Sequence, residues 1–350
     1  MKRISIVLFL SALAPIGLWA QVIDKPAATV NLVQPEYISV SQLNSRYNQV
    51  ETLRRQNGLP SSPDDKMQVL NSMIAEVLIS QAAKRDNVTV PESAVNDVVQ
   101  QQRKQVEARI GPLSDDQYHN FVFQQTGQSW DQYVQNIRTQ LTRQQYIMAK
   151  KGEVINGVPQ PTEDQIQQRY ALISSQLTNP EIIRFNQVFI DTRGLSSAQA
   201  SQAKQRADDI YRQYVNGQAT FPQLVTQFTD DPRGRYTGGD FGYLARDDTR
   251  YIQLLGQQFI DQIFTLKVGD VKELQSNIGY HIVQITEHYP AKLLTLSDHL
   301  APGNPMTVHD YIRNLLIQQE KQQAFEQAVQ EIVDGLKKQA DIQIFKQNLN

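Results

Sequence analysis

Apolar positions along this chain fall into three sections with different periods. In the first, Met67, Leu70, Met73, Ile74, Val77 and Leu78 recur at helical spacing, a stripe that needs a partner. Ahead of it, Ala27–Val33 and Tyr37–Val40 alternate as strands, and Ser41 is placed to cap a helix beginning at Gln42. Val90-Pro91-Glu92 sets proline in the first turn of a helix through Val98, Val99 and Val106. Further helices are predicted after Ser114 and after Ser129, where Trp130, Tyr133, Val134, Ile137 and Leu141 share a face. Pro159–Thr162 is a stop, and Thr162-Glu163-Asp164-Gln165 has the pattern of a capping box opening another helix. Residues 21–175 therefore read as a helical domain with a small β element at its start.

From 180 to 290 the period changes. Ile182–Ile190 is strand-like, a helix is predicted across 197–216, and a short one follows Phe221-Pro222-Gln223-Leu224. A glycine-rich turn, Thr237-Gly238-Gly239-Asp240-Phe241-Gly242, comes next, and Gly279–Ile285 alternates as a strand. The order is β-α-α-β-α-β, an α+β domain. Residues 306–336 are helical again, with Ile312, Leu315, Leu316, Phe325, Val329, Ile332, Val333 and Leu336 on one long apolar face, and Ala340–Phe345 alternates like a strand, closing a segment over 306–350. That section is too short to bury its own face. It is expected to fold back on the N-terminal helices, with its strand pairing the β element near Val30. The fold class is thus α+β multidomain: a mostly helical domain built from N- and C-terminal segments, with an inserted α+β domain over 180–290.

Composition narrows what such a chain can be. It has 34 Lys+Arg against 36 Asp+Glu, which argues against a dedicated nucleic-acid binder. It has no cysteine, which excludes disulfides, thiolate zinc and cysteine nucleophiles, and its five histidines form no HExxH or HxH pair, so no metal or cofactor is expected. Lys2-Arg3, an apolar stretch through Ala14 and Leu18-Trp19-Ala20 follow the basic, apolar, small-residue order of a secretory signal over residues 1–20. The apolar run is shorter than the ~20 residues that span a bilayer, so an exported protein without membrane insertion is expected.

Several elements of the middle section occur together in a known order. They are Phe221-Pro222-Gln223-Leu224, Gln227-Phe228-Thr229-Asp230-Asp231, Gly238-Gly239-Asp240-Phe241-Gly242, Phe259–Phe264, Leu266–Asp270 and Gly279-Tyr280-His281-Ile282. In this the section resembles a parvulin-type peptidyl-prolyl isomerase domain. With its leader, helical N-terminal section and returning C-terminal helix and strand, the chain resembles the SurA family of periplasmic chaperones, carrying one parvulin domain where well-known members carry two. The resemblance implies binding of unfolded or nascent exported polypeptides, outer-membrane proteins in particular, and of X-Pro segments. It also implies a proline cup lined by Phe241, Leu255 and Phe259, with Asp231 and His281 tuning polarity around the twisted amide. Where the family's first paired histidine stands, this chain has Gln187, and Ile278 stands where a small polar residue commonly precedes the Gly-x-His element.

Each of these residues also has a plainer reading. Phe241 and Phe259 fit a core, His281 a satisfied buried histidine, and Asp230-Asp231-Pro232 a turn start. The open alternatives are a chaperone that only binds, an active isomerase, and an exported helical structural protein or adhesin.

Overall fold

The computed structural model describes residues 24–60, 62 and 65–349; the leader expected over residues 1–20 lies outside them. Elements are numbered in chain order. They divide into two compact units, one of residues up to Pro159 together with those from Gln318, the other Gln160–Ile317.

The first unit opens with β1 (Pro26–Asn31) and β2 (Pro35–Ser39). Five helices follow: α1 (Val40–Gln56), α2 (Asp65–Arg85), α3 (Glu92–Ile110), α4 (Asp115–Thr126) and α5 (Trp130–Asn156). From the far end of the chain come the later turns of α12 (Val308–Lys337) and the strand β9 (Asp341–Ile344). The sheet order is β2-β1-β9, and Val30 of the central strand lies opposite Glu36 on one side and Ile342 on the other. The stripe on α2 finds its partner here: Leu70, Ile74 and Leu78 share one core with Val30, Leu43, Tyr146, Ala328, Val333 and Leu336. Buried Gln81 ties the β1–β2 turn to this core. Its Oε1 accepts from the Leu32 and Val33 amides at 2.9 Å each, and its Nε2 donates to the Gln34 carbonyl at 2.9 Å. A second cluster joins α3, α4 and the start of α5 through Val95, Val99, Tyr118, Val122 and Tyr133.

Helix starts draw on the abundant glutamine. Ser39, Ser114, Ser129, Thr162, Ser196 and Thr220 each form a reciprocal box with a glutamine three residues on. Each box satisfies amides that would otherwise lack partners in the first turn. Ser39, not Ser41, therefore caps α1; Ser41 bonds the Asp24 carboxylate instead.

The second unit contains α6 (Glu163–Ile173), β3 (Thr178–Asn179), β4 (Ile182–Asp191), α7 (Ser197–Val215), α8 (Phe221–Phe228) and α9 (Pro232–Thr237). It continues with β5 (Asp240–Ala245), α10 (Thr249–Leu255), α11 (Gln257–Ile263), β6 (Val271–Ser276), β7 (Gly279–Tyr289) and β8 (Lys292–Leu293). Its antiparallel sheet runs β5-β4-β7-β6. Because side chains alternate along a strand, each face of this sheet has its own core. Phe185, Val283 and Ile285 pack with Leu255, Phe259, Ile260 and Ile263 of α10 and α11, whereas Val188, Ile190 and Ile282 pack with α7 and α8.

Three further expectations need correction. The helix opened by Thr162 sits in the second unit, where Ile166 packs with Leu294, Val308 and Ile312, so the break falls at Pro159 and not near residue 175. The apolar face of α12 is shared between two cores, Val308 and Ile312 serving the second unit and Ala328 onward the first. The sheet also has a strand the alternation did not reveal, β6, since only Val271 and Leu274 of its six residues are apolar. No helix among the described residues is long and apolar enough to cross a membrane.

Candidate functional site

The two central strands of the second unit set the site. In their register Phe189 lies opposite His281 and Gln187 opposite Val283, which makes Gln187 and His281 diagonal neighbours on one face. Gln187 Oε1 and His281 Nδ1 are 2.8 Å apart, and His281 Nε2 is 2.7 Å from Ser276 Oγ. The Phe189 and Phe259 rings both pack on the imidazole, each with its centroid 4.8 Å away. His281 is 1% exposed and Gln187 6%. Charging a ring so enclosed removes a cation from water, and burial pushes the His281 pKa down to about 3. The ring is therefore neutral at physiological pH. With Gln187 Oε1 accepting, the proton sits on Nδ1 and Nε2 accepts from the Ser276 hydroxyl.

The other residues picked out in the sequence are distributed differently. Asp231 is not in this network: its Oδ1 accepts from the Arg233 amide at 3.0 Å, capping α9, and its own amide donates to Thr229 Oγ1. The same Thr229 hydroxyl accepts from the Phe189 amide, so Asp231 is linked to β4 through the loop. Phe241 is partly exposed and stacks on Phe185 with centroids 4.5 Å apart. Leu255 and Phe259, expected as walls of a cup, are each 1% exposed and belong to the buried core against which Phe241 packs. The partly exposed apolar side chains packed against that core are Phe241, Tyr251, Ile252 and Ile278. Tyr251 and Ile252 sit at helical spacing before Leu255, but no sequence pattern marked them. Ser276 was legible only through β6. Once Ser276 is paired with Gly279, it shares a face with His281.

Close backbone approach holds Gln187 in place. Its amide donates to the Gly239 carbonyl at 2.8 Å, and a Cβ on Gly239 would lie 2.5 Å from the Gln187 carbonyl oxygen at a φ of +83°. Gly239→Ala is expected to destabilise this unit by about 2–3 kcal/mol, read as a lower urea midpoint with an unchanged slope; an unshifted midpoint would show that the loop yields freely.

The first unit offers a different kind of surface. A cavity of about 300 Å³ is lined by Tyr37, Ile38, Met73 and Val77, with Glu76 held between Arg46 and Arg143 at 2.7 Å each. Met67 and Met148 pack partly buried against the adjoining core. Flexible thioethers on such a surface adapt to varied apolar side chains.

Residues 1–147 match the family model of a SurA-like N-terminal domain and residues 171–289 that of a PPIC-type PPIase domain. The chain is SurA-like and carries a parvulin-type domain. This SurA-like chain is 26% identical over 277 residues to Chaperone SurA of Chromohalobacter salexigens, covering 76% of this chain and 57% of the relative. It is 26% identical over 348 residues to Chaperone SurA of Alcanivorax borkumensis, covering 92% and 68%. It thus spans between 57% and 68% of the length of these relatives. Among solved structures, a SurA-like chaperone of Campylobacter jejuni aligns at 16% identity over 88% of this chain and 97% of that one, with a TM-score of 0.34. In the SurA-like chain the parvulin-type match contains every residue of the Gln187–His281–Ser276 network.

Proposed function

We propose that this chain is a periplasmic folding chaperone. It holds unfolded exported polypeptides, outer-membrane proteins among them, and its parvulin-type module acts on X-Pro bonds. The observation that carries this reading is the presence, in one chain, of a SurA-like N-terminal domain and a PPIC-type domain. Holding a client needs no reaction, only adaptable apolar surface, and the cavity beside Met73 supports that use.

The module's chemistry follows from the peptide bond. Rotation about C–N costs ~18–20 kcal/mol, and X-Pro bonds isomerise in tens to hundreds of seconds unaided. A site lowers that barrier by favouring the twisted amide over the planar one. In our reading Phe241, over the floor made by Leu255 and Phe259, takes the proline ring. Gln187 and His281 provide fixed polarity beside the amide, and Asp231 anchors the α9 loop next to them. A second reading, binding of X-Pro segments without turnover, is favoured by Gln187 at the first histidine position and by the burial of Leu255 and Phe259.

The test dilutes a urea-unfolded outer-membrane β-barrel protein into buffer with and without the full chain. Scattering from aggregates should fall severalfold at equimolar ratio, and undiminished scattering would overturn the chaperone reading. Proline-limited refolding of a model protein then separates the two readings of the module: acceleration shows turnover, and an unchanged rate leaves a binding module.

A further inference from the structure

The isomerase reading identifies the residues beside the amide but leaves open what orients them. Gln187 spends its carbonyl oxygen on His281. Its Nε2 makes no hydrogen bond with any described residue, and it is not among the side-chain nitrogens sealed from solvent. The amide therefore has donor capacity in reserve at an otherwise closed position. Which end of the amide is free depends on the proton of His281, because an Nδ1–H requires an oxygen opposite it and an unprotonated Nδ1 would require the NH2.

That choice is made on the far side of the ring. Ser276 Oγ lies 2.7 Å from His281 Nε2 and 3.3 Å from the Gly279 carbonyl, and it receives the Ile278 amide at 3.1 Å. With the Ile278 N–H already filling one lone pair, the hydroxyl is oriented to donate, and the shorter contact is to the ring. The hydroxyl reaches the ring from two residues before Ile278, a side chain that carries no polar atom.

We propose that Ser276 is the positioning residue of this site: by donating to His281 Nε2 it fixes the ring proton on Nδ1, and through that proton turns the Gln187 amide so that its NH2 is presented to the X-Pro bond. This rests on the isomerase reading. The donor suits the reaction because the nitrogen lone pair, delocalised in the planar amide, becomes an acceptor only as the bond twists. An N–H aimed at it gains strength toward the transition state. Neither Gln187 nor the neutral ring changes charge in the process.

The experiment uses the full chain labelled with ¹⁵N-histidine, alongside Ser276→Ala, Ser276→Thr and Gln187→Glu. Long-range ¹H–¹⁵N spectra at neutral pH should show His281 as a single Nδ1–H tautomer in the parent and in Ser276→Thr. In Ser276→Ala that preference should be lost. In proline-limited refolding, kcat should fall about tenfold in Ser276→Ala with KM unchanged and be restored in Ser276→Thr, while Gln187→Glu, which lacks the NH2, should lose acceleration. An Nε2–H ring in the parent, or an Ser276→Ala chain that keeps both tautomer and kcat, overturns the proposal. A parent chain with no isomerase activity overturns the isomerase reading instead. The tautomer in Ser276→Ala then decides the relay by itself, its loss supporting the relay and its retention overturning it.

Discussion

Leu336→Asp is expected to unfold the unit made from the two ends of the chain. Leu336 is 4% exposed and shares a core with Val30, Leu70, Ile74 and Leu78. Removing its side chain alone costs about 2–5 kcal/mol, and a carboxylate left among those residues adds an uncompensated desolvation penalty. Together these approach the ~5–15 kcal/mol that holds a whole domain. Circular dichroism during urea titration should show the first unit's transition displaced to low denaturant, and the β1 amides should lose hydrogen-exchange protection. Val154→Asp is the control, since Val154 is 61% exposed on α5 and its replacement should stay within about 0.5 kcal/mol. Equal midpoints for the two variants would mean that α12 does not complete this core.

Acid should weaken the second unit earlier than carboxylate chemistry alone would. His281 takes up its proton near pH 3 in the native state, against about 6.5 when unfolded. Between those values the unfolded chain binds the extra proton. The stabilisation is therefore full above pH 6.5 and is lost as the pH falls, by about 1.4 kcal/mol per unit. From pH 7.5 to 5.0 the loss should reach about 2 kcal/mol, visible in the urea midpoint. His281→Gln, which keeps a hydrogen-bonding group without a titration, should flatten that slope. Asp240, by Arg184, and Glu287, first by Tyr289 and then by Tyr243 and Arg184, are held below the ordinary carboxylate range and so stay ionised across the pH 7.5 to 5.0 interval. Burial raises the Glu273 carboxyl and acts in the opposite sense, but it is present in both proteins, so the difference isolates His281. Parallel pH profiles would rule out the neutral buried ring as the cause.

Much of this architecture could be read from periodicity, because amphipathic helices announce the face they bury. The stripe from Met67 to Leu78, the caps at Ser114, Ser129 and Thr162, and the alternating segment near Ile342 all correspond to elements seen here. What stayed hidden was long-range. Nothing in the α12 pattern says that Ile312 and Val333 serve different cores, since both repeat at the same spacing. At the site, the pairing of Gln187 with His281 follows once β4 and β7 are adjacent. The third member, Ser276, depends on a strand with too few apolar residues to declare itself. Leu255 and Phe259 were expected in the cup from the family resemblance, and a position carried over from a family does not say how far below the surface the side chain lies.

The antiparallel pairing of β1 with β9 also fixes an order of events. A polypeptide emerging from its N-terminus can close the segment from Gln160 to Ile317 on itself as soon as that stretch is out. The sheet that begins at Pro26 must wait, with β1 lacking one neighbour, until Asp341–Ile344 arrives. Contacts so distant along the chain form late and slowly. Throughout that interval the first-made part of the protein has the exposed strand and unfinished apolar interior that aggregation exploits, so the slowest step of its own maturation resembles the problem its relatives are named for handling.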